Sequence, residues 1–244
     1  MLNFGKTLAY AWPFLVILAL IFTYINAPHF FVSYIFQIQN REFQVVEILT
    51  FIAAGMAGII LLMSTWKFWK RDNYWAAGLV GLVALAALFF SGEEISWGQS
   101  YLQWDTPTWW QGKFSGETNL HNSQFPVHQL AALFIFSIFF LLPFCWRFRN
   151  YIYLPLALEP AIPECPVISA LGLSIIFREL KGIYREFSPL WYRQVDIPWV
   201  EFHDQFYQEF LWGMNEYREM LVALTLLMYA GYRMAAAKKI ILPN

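Results

Sequence analysis

Residues 74–99 read YWAAGLVGLVALAALFFSGEEISWGQ, an apolar run that ends in the adjacent carboxylates of Glu93 and Glu94. Its length is that of a membrane-crossing helix, which needs about 20 predominantly apolar residues. The run predicts a helix from Tyr74 to Ser96, with Asp72-Asn73 before it as a capping pair. A second polar cluster, Gly116-Glu117-Thr118-Asn119-Leu120-His121-Asn122, comes before the next apolar run begins. Polar groups at such positions are costly unless they are used.

The composition agrees with that reading. Of 244 residues, 59% are hydrophobic, 20% aromatic and only 14% charged, with a mean hydropathy of +0.44. A soluble globular domain carries roughly 25% charged residues. The net charge of -1 points to neither a nucleic-acid partner nor polybasic attachment to anionic lipid. Cys145 and Cys165 are the only cysteines and form no CxxC or Cys/His pattern. With no long hydrophilic block and no repeat, residues 1–244 read as one integral membrane domain, with 97–126 and 178–215 as interfacial or exoplasmic connections.

Further apolar runs cover about 8–25, 44–66, 127–148, 162–177 and 220–232. The first has the length of a signal peptide, but its n-region carries only Lys6 and a proline comes directly after the candidate small residue. It is taken as a helix, and the aromatic 27–43 segment as interfacial. Four prolines, Pro155, Pro160, Pro163 and Pro166, exclude a continuous helix over 151–166. The 162–177 run, fifth of the six along the chain, is short, so it either crosses or re-enters. Lys67, Lys70, Arg71, Arg147, Arg149, Arg233, Lys238 and Lys239 flank alternate runs, which places these connections and both termini in the cytoplasm. The expectation is an all-α polytopic bundle of about six transmembrane helices, or five if the fifth is re-entrant.

That topology brings the polar residues at helix ends to the exoplasmic side. Glu47 heads a stripe of Phe51, Ala54, Gly55 and Gly58 that permits close helix contact. Glu93 and Glu94 sit at a helix C-terminus, where carboxylates are disfavoured by about 0.3–1 kcal/mol each. Protonation, an arginine or a cation must offset that cost. Successive helical positions differ by about 100°, so one carboxylate is expected to be structural and the other functional. Glu94, Glu117 and His121 are therefore the candidate catalytic residues, among the amides Gln99, Asn119 and Asn122 as binding groups. Glu47, Glu93, Glu216 and Glu219 complete the candidate binding set, although the last two also suit the start of a helix. Any metal would be held by His121, Glu94, Glu117 and His128, a donor set that suits zinc, iron or manganese. HExxH, G-x-S-x-G, the P-loop and the dinucleotide fingerprint are all missing. The sequence leaves the cofactor unknown.

The pair Glu93-Glu94-Ile95-Ser96-Trp97-Gly98-Gln99 and Gly116-Glu117-Thr118-Asn119-Leu120-His121-Asn122 resembles a motif pair in a group of bacterial multi-pass membrane proteins of unassigned function. The resemblance covers about thirty residues and implies a polytopic protein of the bacterial inner membrane without implying an activity. Alkaline ceramidase-like hydrolases offer a looser comparison, but their late paired histidines are missing here.

Two functions carry equal weight. One is an enzyme acting on a lipid or lipid-linked substrate, with Glu94 or Glu117 as general acid or base and His121 as proton shuttle or metal ligand. The other is a non-catalytic subunit or scaffold of a larger membrane complex, packed against partner helices, lipids or pigments. Transport ranks lower, because the middle of the membrane is poor in polar groups.

Overall fold

A computed structural model describes residues 10–19, 22, 45–106, 127–176 and 203–239, with backbone alone at 100–101, 127–128, 203–216 and 239. The architecture is all-α, a polytopic transmembrane helix bundle, and no strand occurs among the described residues. The helices are α1 (Tyr10–Ala19), α2 (Val45–Trp69), α3 (Tyr74–Glu94), α4 (Gln99–Leu102), α5 (Val127–Phe136), α6 (Leu142–Arg147), α7 (Cys165–Ile176) and α8 (His203–Lys239). A π-helical turn (Ser137–Leu141) joins α5 to α6, and a 3-10 turn (Leu156–Ala161) precedes α7. Four stretches are long and apolar enough to cross a bilayer: α2, α3, Gln129–Arg147 and Tyr217–Lys238. α1 and α7 are shorter apolar helices. The chain divides into two compact units, Met1–Glu47 with Ser169–Val222, and Ile48–Ile168 with Ala223–Asn244.

The second unit is built on an α2/α3 hairpin whose turn is closed by its own sequence. Asp72 adopts a left-handed φ of 57°. Its N–H donates to the Trp69 carbonyl, and that of Asn73 to the Phe68 carbonyl, which closes α2 in a Schellman arrangement. The Asn73 side chain then accepts from the Ala76 N–H and caps α3, so two adjacent residues end one helix and start the next.

Small residues set the contact between the two helices. A methyl on Gly55 would lie 3.1 Å from Ser91 Oγ, one on Gly58 only 2.5 Å from Leu88 Cγ, and one on Gly81 3.2 Å from Thr65 Cγ2. Each of these pairs adds to the same residue sum, as an antiparallel register requires. Ser91 Oγ also donates to the Phe51 carbonyl across the interface. Ala54, Ala57 and Leu61 of α2 and Ala76, Val80, Val83, Ala84 and Ala87 of α3 are buried, whereas Ile52, Met56, Ile59, Trp66, Trp75, Leu82 and Leu85 face outward. Small residues inside and bulky ones outside is the pattern of helices whose surroundings are lipid, where close backbone approach replaces hydrophobic collapse.

α8 runs parallel to α2. Ala223 packs with Ala53 and Ala54, Lys67 Nζ reaches Met234 Sδ, and an Arg71 guanidinium N–H donates to the Ala237 carbonyl. The 67–71 connection and the end of α8 therefore lie at one end of this unit. The helix through 127–147 meets α8 at its π turn, where buried Phe139 stands edge-on to Tyr229 at 5.3 Å. Pro143 explains the turn: its ring would strike the carbonyl of Phe139 in a regular α-helix, and widening to an i–5 bond from Leu142 to Ser137 removes the conflict.

The proline-rich segment gives a 3-10 turn containing Pro160, packed on α3, in place of a continuous helix. α7 has 12 residues, about 18 Å of helix at 1.5 Å per residue, short of a roughly 30 Å hydrocarbon core.

Candidate functional site

Glu93 and Glu94 close α3, and the chain then reverses its handedness. Ser96, Trp97 and Gly98 have φ of 46°, 57° and 82°, three successive left-handed residues. A non-glycine residue in this region costs roughly 1–2 kcal/mol, so the turn must be held from outside its own backbone. Trp97 supplies that hold. Its Nε1–H donates to Glu93 Oε1 at 2.6 Å, and its ring stands edge-on to Phe89 at 5.5 Å. The same ring lies on Gly92, where a methyl would approach within 2.7 Å. The Gly98 N–H closes the turn on the Ile95 carbonyl at 2.8 Å.

This local fold gives the two carboxylates different surroundings. Glu93 is 4% exposed and accepts the indole N–H, whereas Glu94 is only partly buried. Gln99 begins α4 and donates from Nε2 to Thr106 Oγ1 at 2.8 Å, with Thr106 itself buried, so Gln99 holds 99–106 together. Trp97 is half-exposed and locks the end of α3.

The remaining sequence-derived candidates fall in several places. Glu47 lies in the first turn of α2, half-buried, where its charge suits the helix N-terminus. Glu219 pairs with the adjacent Arg218 at 3.1 Å. Glu216 belongs to α8 and His128 to α5, with only their backbones described. Glu117, Asn119, His121 and Asn122 lie outside the described residues. Among the described residues, no three His, Cys, Asp or Glu side chains gather as a metal site would require.

A second polar cluster was not anticipated. Arg233, counted from the sequence as a flanking charge, is 1% exposed and lies inside α8. Its guanidinium donates to the Pro160 carbonyl and pairs with Glu164 Oε1. It also lies 5.0 Å from the centre of the Tyr229 ring, and the Tyr229 hydroxyl donates to the Ala161 carbonyl at 2.7 Å. One face of α8 thereby fastens the 3-10 turn and the start of α7 to the bundle. Arg233 Nε and Glu164 Oε2 are buried without a hydrogen-bond partner among the described residues. The only sequence signal was the i,i+4 spacing of Tyr229 and Arg233, and nothing local links them to Glu164, 69 positions away.

No family model, curated protein or solved structure matches the chain.

Proposed function

We propose that this integral membrane protein is a non-catalytic subunit or scaffold of a larger membrane assembly, and that the helix through 127–147 is the surface it offers to partner helices. The supporting observation is a contrast in cover. Only 6% of the apolar window in Gln129–Arg147 is buried, against 39%, 39% and 44% for the other three spans. Leu130, Leu133, Phe136, Leu141 and Phe144 all point outward from it. A crossing helix that shares so little surface with its own bundle has its bulky side chains free for another chain's helices. The reading of the EEISWGQ segment agrees, because its buried carboxylate, tryptophan and glutamine are engaged in ending α3 and shaping residues 95–106. By the positive-inside rule we place the Lys67–Arg71 end in the cytoplasm and the Glu93–Glu94 end at the exoplasmic face of a bacterial inner membrane.

A photo-crosslinking residue at Leu133 or Phe144, activated in native membranes, tests this, with Leu85 as an outward-facing control on α3. The expected result is one defined protein adduct from 127–147 and none from Leu85. A lone monomer carrying only lipid adducts at all three positions would count against it.

The partial exposure of Glu94 favours a second reading, an enzyme acting on a lipid or lipid-linked substrate with Glu94, Glu117 and His121 as its acid–base groups. In that case Glu94→Gln, Glu117→Gln and His121→Ala would each abolish turnover of a membrane lipid while leaving the bundle folded. Retained turnover in all three would exclude it.

A further inference from the structure

One end of the second unit gathers positive charge that the overall balance of -1 conceals. Lys67 in the last turn of α2 and Lys70 and Arg71 directly after it stand at i, i+3 and i+4, a spacing that brings their side chains together. Contacts from Lys67 to Met234 and from Arg71 to Ala237 bring the end of α8, with exposed Lys238, to the same place. α6 ends at Arg147, and exposed Arg147 and Arg149 lead within a few residues into the 3-10 turn held by Arg233.

The acids nearby do not neutralise this end. Glu164 is paired with buried Arg233, so among the described residues here Asp72, which accepts from the Tyr74 hydroxyl at 2.6 Å, and exposed Glu159 are the carboxylates set against Lys67, Lys70, Arg71, Arg147, Arg149 and Lys238. Lys67 also retains donor capacity, since an ammonium has three donors and its partner is a thioether, a weak acceptor. Two of the cations lie over indole rings, Lys70 over Trp66 at 4.9 Å and Arg149 over Trp146 at 4.8 Å. Trp66, Trp69, Tyr151 and Tyr153 are exposed beside them. Amphipathic rings next to unneutralised cations, at the end of apolar spans, match the headgroup layer in both polarity and charge.

We infer that this end is a binding surface for anionic phospholipid headgroups, with Lys67, Lys70 and Arg71 at its centre and Arg149 at its edge. The inference uses only the membrane-spanning architecture and is independent of the proposed scaffold role.

The test is native mass spectrometry of the full chain in neutral detergent, titrated with phosphatidylglycerol or phosphatidylcholine of the same acyl chains. Phosphatidylglycerol is expected to bind at least about tenfold more tightly at low salt, with the preference shrinking as salt screens the charges. Lys70→Gln and Arg149→Gln should each weaken it about fivefold, and together roughly thirtyfold. Arg218→Gln, remote in sequence and paired with Glu219, should leave it unchanged. Equal binding of the two lipids would overturn the inference, as would unaltered affinity in the double variant or an equal loss in Arg218→Gln. Inorganic phosphate at matched concentration should leave the lipid bound, and displacement by it would overturn the assignment to a lipid. If a variant fails to fold, the comparison of the two lipids on the unaltered chain still decides.

Discussion

Replacing Arg233 with methionine removes the charge that fastens the 3-10 turn to α8 while keeping an unbranched side chain in the helix. Three interactions go with it: the pair with Glu164, the bond to the Pro160 carbonyl and the contact with the Tyr229 ring. Breaking a buried ion pair from one side costs about 3–5 kcal/mol, chiefly because the other charge is left stranded. Here the stranded group is Glu164, whose side chain is 35% exposed and so reaches solvent more readily than Arg233 at 1%. The lower end, about 3 kcal/mol, is therefore expected. For a chain of this size that corresponds to a fall in Tm of roughly 6–12 °C. The converse variant, Glu164→Ala, strands the less exposed partner and should cost more. Removing both charges in Arg233→Met/Glu164→Gln should recover at least half of the loss, since no uncompensated ion remains. Thermal unfolding in one detergent and lipid composition, followed by intrinsic fluorescence, measures all three. A fall below about 2 °C for Arg233→Met, or a double variant as unstable as the sum of its parts, would refute the view that this pair fastens the turn.

Gly92→Ala should be destabilising by about 1–3 kcal/mol because its methyl would meet the Trp97 ring. In a Trp97→Ala background the same change should be nearly neutral, and a double-mutant cycle in thermal unfolding checks it. Gly58→Ala should cost a similar 1–3 kcal/mol against Leu88, with partial rescue by Leu88→Ala restoring helix contact. Asn73→Ala should lose about 1 kcal/mol from the missing cap on α3, read from the same unfolding curves. Tyr229→Phe keeps the ring beside Arg233 and loses only the bond to Ala161, so a drop of about 1 kcal/mol is expected.

Much of the architecture is legible in one dimension because the bilayer restricts the choices. Uncharged runs of spanning length can only be helices there, since every backbone polar group must be satisfied within its own segment. The small-residue stripe through Ala54, Gly55 and Gly58 indicated close helix contact, and Gly58 packs against Leu88. The prolines of 151–166 excluded a continuous helix, and a 3-10 turn is found. The adjacent carboxylates of Glu93 and Glu94 were expected to differ in role, because neighbouring helical positions point apart. Their surroundings differ, with Glu93 buried against Trp97 and Glu94 partly exposed.

Tertiary structure decided what depends on distant segments meeting. Arg233 resembled a flanking cation because its sequence neighbours are those of a helix end, but Glu164 and the Pro160 carbonyl make it a buried anchor. The partner of Trp97 lies only four positions back, but it is reached through left-handed Ser96 and Trp97, a conformation that propensity does not predict for serine or tryptophan. A near-neutral total likewise says nothing about where the charges lie, and contacts of Lys67 and Arg71 with the end of α8 bring cations from separate connections to one end. By itself, then, the sequence determined that these segments are membrane helices, because hydropathy and backbone satisfaction act locally. Which polar side chains became locks, anchors or surface charges depended on long-range packing, since burial and pairing are properties of neighbours in space.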